Sequence, residues 1–373
     1  MSESHDERPT GAVAEASSPD VAIARPHRLV AAILRLGWLA GLTASAAMVL
    51  ILLVPSPWPF CLLTPYLLQW TVLAWVGWAV VVLGQQHKKK FGRRALGGMT
   101  LVTLAAVAGT GLLMRAVVPP APRGPARSDG VGLKVLSANV HSSNTEHAKL
   151  LALIAAERPD VIFVAELTSD WLRDLESLRL SHPYRRVVPD DAGNFGMGVW
   201  SRRPITADFE LLKEPDPIGL SDTPQLVASL TLDDARQTRV NLLGLHPVPP
   251  ISPGRQRSRD AVLLSAAGRV AAAPEVPAIV LGDFNATPHC RITRDMAARA
   301  GLGDALAGQR VSWPARWSWP VMGIRIDQAL VSRHWVVTDA RIGPDIGSDH
   351  WPVVLSLRLR DEWDAAAVGL GKK

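Results

Sequence analysis

Three long apolar stretches mark the first third of the chain, at residues 36–54, 66–84 and 95–118. Each is near or above the ~20 residues that a helix needs to cross a bilayer core of ~30 Å. No Asp, Glu, Lys or Arg lies between Arg35 and Lys88. A signal-peptidase site would have to follow the first apolar stretch, whereas the small residues 44–46 fall inside it. We therefore predict three transmembrane helices rather than a cleaved signal peptide followed by buried core helices.

From residue 133 onwards, short β-rich runs alternate with helical periods. Strands are predicted at 133–139, 160–166, 196–201, 205–212, 226–232, 239–246, 278–282, 325–332, 335–342 and 352–357. Helices are predicted at 146–156, 170–178, 257–272 and 292–300. Many strands with a few helices between them favour an α/β fold. We expect a four-layered α/β sandwich, with two packed β-sheets flanked by helices, preceded by the three transmembrane helices.

These patterns divide the 373 residues into five parts. A polar segment without periodicity predicts a disordered cytoplasmic tail over 1–28, and the membrane domain follows over 29–118. Proline, glycine and arginine dominate 119–131, which is typical of a semi-extended linker. The α/β domain covers 132–360, and a short tail covers 361–373.

Charge is distributed unevenly between these parts. The first 130 residues hold 12 Lys and Arg against 6 Asp and Glu, and the rest holds 28 of each, so the whole net charge of +6 lies in the first third. The α/β domain therefore has no global attraction for a polyanion. Basic residues precede the first apolar stretch and fill the loop at 88–94, and the positive-inside rule places both in the cytoplasm. We expect a multi-pass protein of the cell membrane with an extracytoplasmic α/β domain.

The chain has two cysteines, Cys61 and Cys290. Two are too few for a disulfide-stapled scaffold or a cysteine-based zinc cluster. The sequence leaves open whether they pair.

Polar and ionisable residues stand at the ends of several apolar strands, where α/β folds collect functional groups. Taken singly, Asn139 could cap a turn and Glu166 could cap the following helix. The runs GDFNATP and GSDHWPV are harder to explain by packing. The residues concerned are Asn139, Glu166, His246, Asp283, Asn285, Asp349 and His350.

Together these runs resemble the motifs of the endonuclease/exonuclease/phosphatase superfamily, the DNase I-like Mg²⁺-dependent phosphoesterases. The resemblance covers about residues 133–360. The motifs stand in one order: SANV (Asn139), VAEL (Glu166), GMGVWSRRPI (Gly198, Ser201), LGLHPV (His246), GDFNATP (Asp283, Asn285), RIDQALVS (Asp327) and GSDHWPV (Asp349, His350). Ala165 stands where nucleases of the group usually have Gln, which weakens a DNA-repair interpretation. The whole layout also resembles the VanJ-type actinobacterial membrane proteins linked to teicoplanin resistance.

The resemblance implies a metal-dependent phosphoesterase that uses Mg²⁺, with Mn²⁺ as the alternative. Phosphate esters repel anionic nucleophiles, so hydrolysis needs a hard cation and a base that activates water. The implied metal ligands are Asn139, Glu166 and Asp349, and the implied catalytic residues are His350, Asp283, Asp327, His246 and Asn285. The histidine of GSDHWPV, oriented by the aspartate of RIDQALVS, is either the general base or a hydrogen-bond donor to the transition state. The aspartate of GDFNATP is the other candidate for the general base. His246 and Asn285 are expected to hold phosphoryl oxygens.

The sequence gives weaker evidence for the substrate than for the type of reaction. Tryptophans near the last motifs could grip a lipid phosphate, stack bases or fill a gap: they are Trp313, Trp317, Trp319 and Trp351, with Arg316 among them. A short linker gives membrane-embedded substrates a high effective concentration. We therefore expect cleavage of a phosphate ester or pyrophosphate bond in a lipid-linked phosphate of cell-wall synthesis, with the cell membrane and this lipid as partners. The alternatives are an extracytoplasmic DNase I-like nuclease, although a nucleic acid is the less favoured partner, and a non-catalytic membrane-bound resistance or binding module.

Overall fold

The computed structural model describes residues 26–53, 58–86, 93–115, 117–125, 132–210, 223–232, 237–309, 311–315 and 322–360. Residues 1–25 of the predicted cytoplasmic tail and all of the predicted C-terminal tail lie outside the described residues. So do Arg316, Trp317 and Trp319.

Three helices occupy the apolar first third: α1 (Pro26–Leu53), α2 (Leu67–Gln86) and α3 (Arg93–Arg115). Each contains most of one predicted span. Among the described residues, the stretch Phe60–Val80 is long and apolar enough to cross a membrane, whereas Arg35–Ile51 and Thr100–Leu112 are shorter apolar helical stretches. The presence of three transmembrane helices therefore stays a prediction.

Small residues allow close packing of these helices. A Cβ atom added to Gly77 would lie 2.6 Å from the Cα atom of Gly41, so the backbones of α1 and α2 approach closely. Large apolar side chains point outward and are at least 60% exposed: Leu36, Leu39, Leu83, Leu104 and Met114. The bundle thus has a small-residue interior and an apolar surface.

The second part of the chain contains twelve described strands. They are β1 (Gly132–Asn139), β2 (Val161–Ala165), β3 (Tyr184–Val188), β4 (Met197–Ser201), β5 (Ile205–Glu210), β6 (Gln225–Thr231), β7 (Arg239–Leu245), β8 (Ala278–Asp283), β9 (Leu302–Asp304), β10 (Asp327–Ser332), β11 (Trp335–Ile342) and β12 (Val353–Leu359). The helices between them are α4 (His147–Glu157), α5 (Ser169–Asp174), α6 (Pro253–Ala271) and α7 (Arg291–Ala300), and a 3₁₀ segment, Leu175–Leu180, continues α5.

The strands form two six-stranded mixed sheets. Their orders are β11-β12-β1-β2-β4-β3 and β5-β6-β7-β8-β10-β9. One parallel pair lies at the centre of each sheet, β1 with β2 and β7 with β8, and the other pairs are antiparallel. One apolar core lies between the sheets, a second joins the first sheet to α4 and α5, and a third joins the second sheet to α6 and α7. The predicted four-layered α/β sandwich is confirmed.

The two sheets pack closely near the ends of strands β2 and β7. Gly244 on β7 faces the fully buried ring of Phe163 on β2, and an added Cβ atom would lie 2.3 Å from Phe163 Cε2. Only glycine leaves room for this ring. The contact fixes the separation of two strands that each end at a polar residue.

The structure differs from the sequence expectation in a few elements. Strands β3 and β9 were not predicted, because β3 contains two arginines and β9 has only three residues. Helix α6 begins four residues earlier than predicted, since Ser252 caps it by accepting a hydrogen bond from Arg255 N and a proline occupies the first turn.

The expected linker, 119–131, is attached to the sandwich in its described part, 119–125. Asp304 N donates to Pro119 O at 2.7 Å, and Val337 N donates to Pro122 O at 2.8 Å. Proline holds the chain extended while its carbonyl still accepts hydrogen bonds. The α/β domain thus makes backbone contacts with residues before 132.

Candidate active site

Six strand ends bring the predicted site residues to one edge of the sandwich. Parallel strands β1 and β2 end side by side, with Asn139 opposite Ala165, and Glu166 follows directly. In the second sheet β7 leads to His246 and β8 ends at Asp283. Antiparallel strands contribute at their beginnings, because β10 starts at Asp327, opposite Asp283. The residues just before β12, Asp349 and His350, reach the same edge through the pairing of β12 with β1.

A cavity of about 720 Å³ opens at this edge. Five of the eight predicted site residues line it: Glu166, His246, Asp283, Asn285 and His350. The other three contact its walls. Asn139 bonds to Glu166, Asp327 bonds to His350, and Asp349 bonds to the lining residue Trp313. The structure thus brings all eight together.

Glu166 is held in a strained position at the end of β2. Its φ angle is +61°, a left-handed conformation that costs energy for a residue with a side chain. One carboxylate oxygen, Oε1, accepts a hydrogen bond from Asn139 Nδ2 at 2.9 Å, and Oε2 accepts from Ser142 N at 3.1 Å. Asn139 Nδ2 also lies 3.3 Å from Asp283 Oδ2. Asn139 therefore fixes two carboxylates relative to each other.

The donors available for a metal ion are oxygen atoms. Within the described ranges, no group of three or more His, Cys, Asp or Glu side chains is arranged to hold a metal ion. Asp349 Oδ1 is nevertheless buried without a hydrogen-bond partner among the described residues, and Glu166 opens to the cavity. Mg²⁺ and Mn²⁺ accept such hard donors, and Mg²⁺ binds through one or two carboxylates while keeping several waters. The residues fit an ion of this kind.

His350 lies between two buried aspartates. Its Nδ1 donates to Asp327 Oδ2 at 2.8 Å, and its Nε2 lies 3.7 Å from Asp283 Oδ2. Burial alone would lower the pKa of His350, but the carboxylates of Asp327 and Asp283 raise it to about 10. Burial raises the pKa of Asp283, and the negative charge of Asp327 adds to this while His350 and His246 oppose it. The cluster thus favours a protonated histidine beside a carboxyl group of increased proton affinity.

His246 and Asn285 complete the opposite wall. His246 Nε2 lies 3.7 Å from Asp283 Oδ2, and burial lowers the pKa of His246. Its backbone N donates to Gln225 Oε1 at 2.6 Å, so β6 sets its position. Asn285 has a φ angle of +48°, and its Nδ2 donates to Pro247 O at 3.0 Å. One amide hydrogen of Asn285 remains for a substrate oxygen.

Trp313 connects Asp349 to the cavity. Its Nε1 donates to Asp349 Oδ2 at 3.1 Å, while its side chain lines the cavity. Of the tryptophans noted in the sequence near the last motifs, Trp313 is therefore placed at the site. Trp351 is half-buried and does not line the cavity.

Several further residues at the cavity carry no motif in the sequence. Arg255, in the first turn of α6, is the only Lys or Arg among the described lining residues. Apolar side chains from loops also line the cavity, including Phe195 and Ile251. Part of the wall comes from residues 62, 65 and 66, which connect α1 to α2. Contributions from loops distant in sequence give no local pattern, so only the fold reveals them.

Comparisons with known proteins identify the family and agree with the α/β sandwich. The model of the endonuclease/exonuclease/phosphatase family matches residues 136–350. Similar solved structures include an endonuclease/exonuclease/phosphatase from Bacteroides vulgatus, at TM-score 0.50 and 16% identity, covering 61% of this chain and 99% of that one. A functionally unknown conserved protein from Enterococcus faecalis V583 has TM-score 0.50 and 17% identity, covering 61% and 100%. A family structure from Beutenbergia cavernae has TM-score 0.49 and 21% identity, covering 61% and 72%.

No curated protein matches the chain at a significant level. At these identities the solved structures show the fold alone. The family match covers more than half of the chain and includes all eight site residues. Members of this family are hydrolases that act on phosphoester bonds and generally depend on a divalent metal ion. The chain therefore belongs to the endonuclease/exonuclease/phosphatase family and carries its DNase I-like phosphoesterase domain.

Proposed function

We propose that this chain is a membrane-anchored, Mg²⁺-dependent phosphoesterase that cleaves a phosphate ester or pyrophosphate bond of a lipid-linked phosphate outside the cytoplasm. One observation carries the proposal: the cavity that holds Glu166, Asp283 and His350 is otherwise lined largely by apolar side chains. A substrate that fits both parts has an anionic head and an apolar body. Mn²⁺ is the alternative ion.

When bound by Glu166 and Asp349, with Asn139 as a third oxygen donor, a divalent ion would neutralise phosphoryl charge and lower the pKa of a water molecule. The remaining steps use the chain's own groups. Asp283 accepts the proton of the attacking water, because its pKa is raised by burial and a carboxylate of higher pKa is a stronger base. Asn139 keeps this carboxylate oriented through the 3.3 Å contact with its Oδ2.

His350 serves as a hydrogen-bond donor to the reacting phosphoryl group. Asp327 holds its Nδ1, so the Nε2 atom is directed toward the carboxylate of Asp283 at the cavity. A donor held in place before the reaction stabilises developing negative charge without reorganisation. His246 and the free amide hydrogen of Asn285 bind non-bridging oxygens from the other side.

Two features support anchoring in a membrane. The outward faces of α1, α2 and α3 expose large apolar side chains, and patches of this kind mark contact with lipid or protein. The stretch Phe60–Val80 is long enough to cross a bilayer. With the basic loops on the cytoplasmic side, the sandwich faces the outside. This layout, like that of the VanJ-type proteins, suits a role in glycopeptide resistance.

The test uses the full chain in detergent micelles with Mg²⁺. Undecaprenyl diphosphate, phospholipid and plasmid DNA are offered as substrates, and phosphate release and strand breakage are measured. We expect release from the polyprenyl substrate. Replacement of the proton acceptor in Asp283→Asn should lower kcat by roughly 10²- to 10⁴-fold, the usual contribution of general acid–base catalysis.

The matched control is Asp170→Asn, the same change at an exposed residue of α5. It should leave kcat unchanged. Cleavage of DNA without action on lipids would instead establish the nuclease. Failure to hydrolyse any of the three substrates would favour a non-catalytic module.

A further inference from the structure

The active-site cavity is not built by the sandwich alone. The connection between α1 and α2, defined here as residues 58–66, contributes Leu62, Pro65 and Tyr66 to its lining. These residues lie more than seventy positions before the first motif, at Asn139. The helical bundle and the phosphoesterase domain therefore share one cavity.

The local conformation of the connection explains which residues face this cavity. It consists of two consecutive 3₁₀ turns, in which Leu62 N donates to Pro59 O at 3.0 Å and Tyr66 N donates to Leu63 O at 3.2 Å. A 3₁₀ turn repeats every three residues. Residues 62 and 65 consequently face the active site, whereas Cys61 and Thr64 line a second cavity against α6 and α7.

Hydrogen bonds hold the connection in place on both sides. Trp70 Nε1 donates to Leu63 O at 3.1 Å, which fastens the connection to α2. Gln69 Nε2 donates to Gly323 O at 3.0 Å, which fastens α2 to the sandwich next to the lining residue Ile324. The wall is thus a fixed part of the cavity.

The chemistry of this wall points to hydrocarbon. The connection contains no Asp, Glu, Lys or Arg, so it offers no cationic partner for a nucleic-acid backbone. Leu62 is 36% exposed, and Ile251 across the same cavity is 65% exposed. Exposed apolar side chains at the rim of a cavity mark a surface that a ligand or lipid covers. A volume of about 720 Å³ lies in the range of sites that hold drug-sized ligands, so the cavity has room for more than a phosphoryl group.

We propose that Leu62, Pro65 and Tyr66 form a specificity subsite that binds the hydrocarbon chain adjoining the phosphate of the substrate. The inference rests on the proposed function and deepens it. In this inference, the connection between α1 and α2 selects between long-chain and short-chain phosphates. The imidazoles and a divalent ion held by the carboxylates would bind the head at one end of the cavity, and the chain leaves along the connection toward the helices. Each buried methylene adds about fourfold to affinity.

The test compares kcat/KM of the full chain in detergent micelles for undecaprenyl diphosphate and for the short, water-soluble geranyl diphosphate. The wild-type protein should prefer the long chain. Leu62→Gln places a polar group in the subsite and should lower the ratio of the two kcat/KM values by about tenfold. Tyr66→Phe, which keeps the apolar ring, should preserve the ratio, and Tyr66→Ala should lower it.

Leu180→Gln is the matched control, since Leu180 is 96% exposed on the 3₁₀ segment after α5 and is not among the lining residues of this cavity. It should leave the ratio unchanged. If the wild-type protein hydrolyses both diphosphates and Leu62→Gln and Tyr66→Ala keep its ratio, the subsite is refuted while the proposed function stands. If the wild-type protein hydrolyses neither, the proposed function fails and the subsite fails with it.

Discussion

Among single residues, several of the proposed catalytic groups have a hydrogen-bond partner that orients them. Asp327 is the clearest case, because it does not line the cavity and acts through its 2.8 Å hydrogen bond to His350 Nδ1. This bond fixes which nitrogen of the imidazole faces the substrate. Asn139 likewise orients the carboxylates of Glu166 and Asp283, because its Nδ2 donates a hydrogen bond to each of them.

We therefore expect Asp327→Asn to lower kcat by roughly 10²-fold or more while KM for the hydrolysed substrate changes little. The asparagine keeps the shape of the side chain but can hold the wrong tautomer of His350, as in catalytic triads. Steady-state kinetics of the full chain would measure both constants. A loss confined to KM would show that Asp327 supports substrate binding instead.

The convergence of the eight predicted residues could be anticipated because each lies at, or within a few residues of, the end of an apolar strand and within a recognisable motif. Arg255 and Phe195 could not, since they lie on a helix start and a loop whose position depends on the finished fold. The same reason hides Leu62, which lines the same cavity as Glu166 only when two distant parts of the chain pack together. The motifs thus indicated the candidate reacting groups and left the rest of the cavity wall undetermined.

At the scale of elements, the site depends on how closely the two sheets pack. Strand β2 carries Glu166 at its end and β7 carries His246, and these strands meet where Gly244 faces Phe163. A side chain at position 244 would push them apart. The distance of 3.9 Å between His246 Nε2 and Glu166 Oε1 would change with it.

Gly244→Val should therefore destabilise the protein by about 1–3 kcal/mol, the usual cost of inserting methyl groups into a packed core. Thermal unfolding in detergent would show this as a decrease in Tm of a few degrees. Gly308→Ala is the comparison, because an added Cβ atom at Gly308 would contact nothing within 4 Å, although its φ angle of +95° adds local strain. An equal Tm for Gly244→Val and the wild type would contradict the packing described here.

Ten of the twelve described strands follow from apolar runs in the sequence, with boundaries that differ by a few residues. The two missed strands, β3 and β9, lie at sheet edges, where one side is open and the apolar pattern is weak. The pairing order within each sheet was not predictable, because strands distant in the chain, such as β1 and β12, become neighbours.

For the whole molecule, the position of the connection between α1 and α2 on the sandwich can be checked with the chain's own cysteines. Cys61 lies in the connection, and Cys290 precedes α7. Both are free thiols, and both line the second cavity, of about 300 Å³. The sequence left their relation open, and the structure places them on one cavity.

We expect a short bismaleimide to cross-link Cys61 to Cys290 in the native full-length protein but not in Cys290→Ser. Mass spectrometry of the digested protein would detect the joined peptides. The chain has no other cysteine that could compete. If a monofunctional maleimide labels both thiols and no cross-link forms, the connection does not rest against α7.

Glu166, at the edge of the sandwich, is the carboxylate that would hold a divalent ion, and such an ion would make phosphoester cleavage depend on it. The decisive measurement is the rate of phosphate release by the purified full chain as Mg²⁺ is removed by a chelator and then restored, for the wild type and Glu166→Gln. We expect chelation to abolish activity, Mg²⁺ to restore it in the wild type, and Glu166→Gln to need much higher Mg²⁺ or to stay inactive. An undiminished rate after chelation, or a Glu166→Gln variant with wild-type Mg²⁺ dependence, would show that no ion at Glu166 takes part in the cleavage.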